Sequence, residues 1–567
     1  MRRSRATSIG LLGLSSALLV GLAAALPDVA SAAHPPSAEG KAMAAATDNG
    51  DATHAALSVI RAGGSAADGA IAAALALGVV NPSASGLGGG GFAMVYSARD
   101  GKVSVLDFRE TAGKKVDAAG LDAPFKMNAP RPAAIGVPGE PAGLEELHAR
   151  FGRVSLAAAA APAVALARDG FWVGHHSAGA FRTFKDRIAA MTPLAGAFLP
   201  GGNPAGYATL VKRPDLAASI ARFGATGKRD FYDGPIAAEI VAAARAAGSP
   251  LTAEDLRGYV VRQRQPLTRT HDGRTIYTMP APSAGGLMLL EVLGMYGASK
   301  SSPLVPMGFG SSAYLHTVAE GIRGAWADRV RVAGDPDRDP SVMPAFERAL
   351  APAQLAARRA RISADKTHPA VEFKTKEQGT SHLIVTDPEG NVVSMTTTIN
   401  GPFGAAVMAG KTGIILNNEL DDFSDAKLYA TFGVKGPGPN LPRPLSRPVS
   451  SMTPTIVLEG GKPILAVGGS GGPRIATGTL QATLCRLLFE RDPNACVSAP
   501  RVHTTGGPLM VEPDIAVDVR QGLTTRGETV KDEPWIGSSI QMVAWEGADR
   551  KILAATDPRK AGMAAAR

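Results

Sequence analysis

The sequence predicts an α/β fold, and two patterns carry that reading. Alanine-rich runs with helix start and stop residues fill much of the stretch from 51 to 333. Short β-rich runs cluster at 92–108, 382–399 and 453–555. The 567 residues allow one large domain or two to four ordinary ones, and 45% hydrophobic with 19% charged residues fits a soluble globular protein.

Residues 1–32 read as a secretory signal peptide rather than fold. Arg2, Arg3 and Arg5 precede an apolar run from Ile9 to Leu26, and Ala30-Ser31-Ala32 is an A-x-A cleavage site. An uncleaved anchor is the alternative, because the run is about long enough to span a bilayer; Pro27 and the cleavage site argue for removal. The product would be exported, periplasmic or extracellular. Residues 33–50 are expected to be a mobile lead-in.

Asp51–Ala62 reads as a helix ended by Gly63-Gly64, and Ser65 caps a second over Ala66–Val80. Gly86 to Gly91 match GxGxxG, but a dinucleotide fingerprint follows a strand and opens a helix, whereas this run follows a helix and opens a strand. Phe92–Ser97 and Lys102–Phe108 form a hairpin about Arg99-Asp100-Gly101 that runs into Asp107-Phe108-Arg109-Glu110. Residues 130–300 are expected to be mostly helical, with runs at Ser155–Asp169 and Ile236–Ala247, and a further helix covers Ala313–Ala333. Residues 360–379 are polar and expected to be an exposed linker, the one that is cut. Later strands are expected at Thr453–Leu458, Ile464–Val467, Asp514–Val519, Ile540–Trp545 and Ile552–Ala555. Gly471-Gly472 separates a strand from a helix beginning near Arg474; helix N-termini present anion-binding N–H groups, and a plain tight turn is the alternative.

Some function classes are excluded. The net charge is +9, but the basic residues are scattered and aromatics are 5%, which argues against a nucleic-acid surface. Ten scattered histidines show no HExxH spacing and no Cys/His cluster, so no metal is expected, nor any other cofactor. The two cysteines, Cys485 and Cys496, flank a helix end; in an exported protein they are a disulfide or two buried thiols.

The chemistry concentrates in 374–424. Gly379-Thr380-Ser381-His382 opens one strand, Asp387 to Asn391 is a turn, and Val392–Ile399 returns with Thr396-Thr397-Thr398. Asn400 ends that strand, and Asn417-Asn418-Glu419-Leu420-Asp421-Asp422 sets carboxylates beside amides. A threonine at a strand start is by itself only a good β residue; the dense polar groups beside apolar strands suggest a site for a small polar ligand.

GTSH, TTTIN, NNELDDFS, Arg447 to Ile456 and Gly468 to Ile475 resemble, in order and spacing, the successive signatures of the γ-glutamyltransferases (γ-glutamyltranspeptidases), which are N-terminal-nucleophile hydrolases. The resemblance covers residues 40–560, with Met279 to Gly286 matching a further family segment. It implies a four-layer αββα sandwich built from both subunits of a self-cleaved precursor: a large subunit, 33–379, and a small one, 380–567, cut between Gly379 and Thr380. It implies that Thr380 is the nucleophile, oriented by Thr398, with Gly471 and Gly472 as the oxyanion hole. Asn400, Glu419 and Asp422 would hold the α-ammonium of a γ-glutamyl group, and Arg109, Ser450 and Ser451 its α-carboxylate. Glutathione is the implied donor; water, an amino acid or a peptide the acceptor. Between Asp422 and Ser450 the chain departs from the family, with Phe432 the candidate for a lid slot usually held by tyrosine and Tyr429 three residues early. Two other readings compete: a glutaryl-cephalosporin-type acylase of the same fold, and an exported binding protein that no longer processes itself.

Overall fold

The computed structural model describes residues 37–124, 126, 129–368, 370–373 and 379–567. The expected signal peptide and residues 374–378 of the expected linker lie outside the described residues. Among the described residues no helix is long and apolar enough to cross a membrane.

Strand alternation builds the layers. In chain order the strands of the two large sheets are β1 (Ala38–Gly40), β2 (Ala44–Thr47), β3 (Gly90–Ser97), β4 (Lys102–Phe108), β5 (Arg262–Arg264), β6 (Leu267–His271), β7 (Arg274–Thr278), β8 (Ser381–Thr386), β9 (Val392–Thr398), β10 (Thr455–Glu459), β11 (Lys462–Ser470), β12 (Ser539–Glu546), β13 (Lys551–Thr556) and β14 (Met563–Ala566). One seven-stranded sheet runs β14-β2-β8-β9-β3-β4-β5 and the other β1-β13-β12-β11-β10-β7-β6. Successive side chains point to opposite faces. On β3, Phe92, Met94 and Tyr96 enter the core between the sheets, while Ala93 and Val95 enter the core under one helix layer. On β11, Ala466 faces the other sheet, while Leu465 and Val467 face the second helix layer. The first layer includes α1 (Gly50–Arg61), α2 (Ala66–Val80), α3 (Glu140–Phe151) and α4 (Leu156–Asp169); the second includes α5 (Gly285–Tyr296), α6 (Ser312–Val332) and α7 (Arg474–Phe489). This is the expected αββα sandwich.

Local signals account for the helix ends. Asp68 N donates to Ser65 Oγ at 3.2 Å and Ser65 N to the Asp68 carboxylate at 2.9 Å, a reciprocal cap on α2. Every residue of α2 except Gly78 is buried, which its methyl side chains make possible between close neighbours.

Four expectations are corrected. Residues 37–50 are not a mobile lead-in: β2 is wholly buried, because Ala44, Ala45 and Ala46 are small enough to fit between sheet and helices although alanine carries little strand signal. The 130–300 stretch is not helical throughout; it also holds β5 to β7, rich in Arg and Thr, of which β5 and β6 are sheet edges, where polar residues suit the unpaired side. Asp514–Val519 is not a strand, since a helix spans Val517–Thr525; its apolar alternation comes from a buried Ile515 beside a solvent-facing Val517. Within the expected exposed linker Phe373 is buried, stacked on Trp326 at 5.2 Å between ring centroids.

Cys485 near the end of α7 and Cys496 on the next helix form a disulfide across an 11-residue separation. Closing so short a loop stabilises by about 2–3 kcal/mol through the unfolded state. The double variant Cys485→Ala/Cys496→Ala is expected to unfold at a temperature several degrees lower in calorimetry; an unchanged transition would refute the contribution.

Candidate active site

The β8–β9 hairpin sits at the middle of its sheet, between β2 and β3, with Ser381 opposite Thr397. Thr380 immediately precedes β8, and Thr398 ends β9. Both hydroxyls converge on one atom. Thr380 Oγ1 donates to the carbonyl oxygen of Gly379, and Thr398 Oγ1 donates to the same oxygen at 2.7 Å. Asn400 N donates to Thr398 Oγ1 at 2.8 Å, and Gly379 N donates to Asn400 O at 2.6 Å. Asn400 is at φ 68°, a left-handed conformation that Asn tolerates better than most residues, and this turns its amide inward.

From Asn400 a polar chain leads to Arg109. Asn400 Nδ2 donates to Asp422 Oδ1 at 3.0 Å and to Asn418 O at 3.1 Å. Arg109 Nη2 donates to Asp422 Oδ2 at 2.6 Å, and Nη1 donates to Glu419 Oε1. The same guanidinium donates to the carbonyls of Pro448 at 3.1 Å and Val449 at 3.0 Å. The fork is therefore fixed against the segment carrying Ser450 and Ser451. Ser450 Oγ accepts from Met452 N at 3.1 Å, and Ser450 pairs through its backbone with Pro282 and Ala284 of the Met279 to Gly286 segment. Ser451 Oγ is buried with no hydrogen-bond partner among the described residues.

Two glycine-rich segments make room. A Cβ on Gly89 would meet Thr398 O at 1.9 Å and one on Gly88 would meet Ile415 O at 1.9 Å, so the 86–91 run lets backbone pass directly behind β9. Gly471 (φ 123°) and Gly472 (φ 59°) turn the chain from β11 into α7, and a Cβ on Gly471 would strike Gly537 O at 1.9 Å. Gly471 lines a cavity of about 560 Å³ together with Gly379, Thr380, Arg474, Trp535 and Lys560. Arg109, Asn400, Glu419, Asp422, Ser450 and Ser451 are not on the wall of this cavity; Asp422 lines a separate cavity of about 460 Å³ with Leu420, Phe423 and Pro442. Tyr429 and Phe432 are buried in the core under α6, and neither ring lines the cavity; the Tyr429 hydroxyl accepts from Asn440 N at 2.7 Å. Asn440 in turn holds Asp422 O at 2.8 Å and Val449 N at 2.9 Å. Tyr429 thus braces the loop through Asn440, and Phe432 packs in the core.

Sequence reasoning missed the charges around this framework. Asp48, after β2, accepts from Ser539 Oγ (2.8 Å), Gln541 Nε2 (2.7 Å), Ser470 Oγ (2.7 Å), His382 N (3.2 Å) and Lys560 Nζ (3.1 Å). Burial alone would raise its pKa, but the Lys560 ammonium and the serine hydroxyls outweigh burial and hold it below the usual range. Burial pushes His176, on the cavity wall, down to about 4 and His382 to about 3. It pushes Glu110 and Glu140 up to about 8. Glu140 accepts from Thr397 Oγ1, and Glu110 lies beside Arg109 and Glu419. With Glu110 neutral, the carboxylates paired to the Arg109 cation are those of Glu419 and Asp422.

The γ-glutamyltranspeptidase family model matches residues 52–567. The chain belongs to the γ-glutamyltranspeptidase family. Glutathione hydrolase 2 of Arabidopsis thaliana is 34% identical over 554 residues, 92% of this chain and 93% of that protein. The glutathione hydrolase proenzyme of Escherichia coli (strain K12) is 32% identical over 496 residues, 84% of each. Among solved structures, cephalosporin acylase from Bacillus halodurans superposes with a TM-score of 0.82 at 25% identity, covering 96% of this chain and 99% of that one. The γ-glutamyltranspeptidase of Helicobacter pylori gives a TM-score of 0.54 at 30% identity, over 57% of this chain and 93% of the solved chain. Family membership makes the protein an N-terminal-nucleophile enzyme.

Glu110 gives a pH prediction. Its folded pKa, about 8, lies above the ordinary 4.5, so the native state binds one more proton than the unfolded chain between those values. Stability from this group is complete below the lower value and falls by about 1.4 kcal/mol per pH unit as pH rises through the interval. Glu110→Gln removes the ionisation while keeping the shape. The variant is expected to match the wild type in denaturant unfolding at pH 4.5 and to exceed it by an increasing margin up to pH 8. A margin independent of pH would refute the burial argument.

Proposed function

We propose that this family member is a γ-glutamyl hydrolase and transferase, acting on glutathione and related γ-glutamyl compounds through Thr380 after a cut between Gly379 and Thr380. The observation that carries the reading is the convergence of the Thr380 and Thr398 hydroxyls on the Gly379 carbonyl. In the cut, Thr380 Oγ bonds to the Gly379 carbonyl carbon, the amide C–N bond breaks, and the freed nitrogen takes the hydroxyl proton. Water then hydrolyses the ester, leaving a Gly379 carboxylate, a free hydroxyl and an α-amine. That amine, with a reference pKa of about 7.7–8.0, serves as the general base for the next attack. The fragments are 33–379 and 380–567, and residues 1–32 direct export to the periplasm or outside the cell.

In turnover Thr380 Oγ attacks the γ-carbonyl, and the N–H groups of Gly471 and Gly472 receive the oxyanion. The leaving amine takes the proton held by the α-amine. Water or the amine of an amino acid or peptide then resolves the ester. Thr398 orients the nucleophile, and Asn400 links it to the recognition charges. Arg109 is paired to Glu419 and Asp422. A γ-glutamyl zwitterion offers the same two charges: its carboxylate replaces theirs at Arg109, assisted by Ser450 and Ser451, and its ammonium replaces the guanidinium at theirs. The exchange conserves net charge in a site where uncompensated ions are costly.

A second reading, a glutaryl-amide acylase, draws on the likeness to cephalosporin acylase. A glutaryl group lacks the ammonium, so it would set an anion against Glu419 and Asp422 with nothing to offset them. That favours γ-glutamyl donors.

Two outcomes test the reading. Thr380→Ala is expected to remain one uncut chain with no turnover, whereas the wild type yields a polypeptide that mass spectrometry finds to begin at Thr380; a fully active single chain would overturn the mechanism. Asp422→Asn is expected to cut kcat/KM for a γ-glutamyl anilide by about 30-fold or more, the usual scale for losing one partner of a desolvated charge pair. The weak glutaryl anilide reaction should be unchanged or improved; equal losses on both substrates would mean that Asp422 only braces its loop.

A further inference from the structure

Lys560 reaches Thr380 from the far end of the chain. It lies in the turn between β13 and β14 with its side chain 6% exposed, and its three ammonium protons have three acceptors: Thr380 O at 2.9 Å, Asp48 Oδ2 at 3.1 Å and Ser470 Oγ at 2.6 Å. Asp48 is itself held by Ser539, Gln541 and the His382 N–H, so the anion beneath the lysine is fixed to β8 and β12. Lys560 is the lone cation in hydrogen-bond contact with Asp48 among the described residues.

We propose that Lys560, anchored by Asp48, is a positioning residue that fixes the main chain of Thr380 and tunes its α-amine; this rests on the reading of Thr380 as the nucleophile. In the uncut chain Thr380 is restrained from both sides, with Gly379 N bonded to Asn400 O. A cut removes the restraint on the Gly379 side and turns Thr380 into a chain terminus, where fraying is ordinary. The Lys560 contact is to the carbonyl of the same residue and survives the cut. It therefore replaces the lost covalent tether and keeps hydroxyl and amine registered against Thr398 and Gly471.

The charge acts as well. Beside the new amine lie buried Asp48 and its Lys560 partner; His175, His176, Arg474 and Arg559 line the cavity, and His382 sits behind in β8. His176 and His382 are neutral above pH 5, since burial has pushed both down, and the arginines stay charged throughout. Remove Lys560 and Asp48, bonded to the His382 N–H two residues from Thr380, loses its cationic partner; an unpaired anion there favours the protonated amine and starves the reaction of base.

The test uses purified, fully cut enzyme with its active sites counted. Lys560→Met is expected to lower kcat by about 10- to 100-fold, the cost of a slightly misplaced nucleophile, with KM changing less. The acid limb of its pH profile should move upward by about half a pH unit or more. Lys560→Arg should restore part of kcat. Because Lys560→Met strands a buried anion, Asp48→Asn/Lys560→Met is the companion: it removes both charges, should recover the folding stability, and should remain slow. A double variant with wild-type kcat, or a Lys560→Met effect confined to KM, overturns the proposal. A wild type with no terminus at Thr380 would instead overturn the nucleophile reading, a distinguishable result.

Discussion

One guanidinium between two carboxylates, sealed from water, sets the terms for the rest of the site. Arg109 stands at the end of β4, Glu419 and Asp422 on a loop more than 300 residues later, and the carbonyls of Pro448 and Val449 on a third segment. Removing ions from water costs several kcal/mol each unless geometry and hydrogen bonds compensate. Three segments must therefore be correctly placed at once, and everything that places them becomes structurally obligatory: Asn440 pinning the loop, Asn400 satisfying Asp422, and Glu110 held neutral alongside. Burial raises the affinity of the Glu110 carboxyl for its proton, and that in turn lets a single cation suffice. Arg109 itself holds its proton more firmly than free arginine, since the carboxylates outweigh the burial that would weaken it.

The hairpin that carries Thr380, the proposed nucleophile, is approached from behind by backbone. Gly88 and Gly89 bring one strand connection against the carbonyls of Ile415 and Thr398, and no larger residue fits. This fixes Thr398 from its rear. Asn400 then links Thr398 to the carboxylate of Asp422.

The sequence disclosed what local chemistry determines. Turn residues at Asp387 to Asn391 and β-branched runs on either side give the hairpin; Ser65 with Asp68 gives α2; Gly471-Gly472 gives the strand-to-helix turn. Short motifs carry Thr380, Thr398, Asn400, Glu419, Asp422 and Arg109, and the structure brings them into one hydrogen-bonded chain. It was silent where tertiary context overrides propensity. Ala44, Ala45 and Ala46 are poor strand formers and form a central strand because only small residues fit there. Arg262 to Arg264 look like surface residues because an edge strand must. Phe432 looked like a lid aromatic because spacing cannot tell a ring that faces the site from one that packs beneath it. Asp48 and Lys560 are 512 residues apart, and no window or period joins them.

The order of strands has a mechanical consequence. Divide the chain between Gly379 and Thr380 and assign each strand to its fragment: β2, from the first, lies between β14 and β8, both from the second, while β9 of the second is zipped to β3 of the first. The very last residue, Arg567, closes the seam by accepting the amide protons of Lys41, Ala42 and Met43. The fragments are thus interleaved like fingers of clasped hands, not set side by side. Neither owns a complete sheet, and pulling them apart would expose several unpaired strand edges at once. Cutting such a chain creates a terminus without creating a dissociable partner. In the proposed cut, one bond is freed while the interleaved strands of both fragments stay paired.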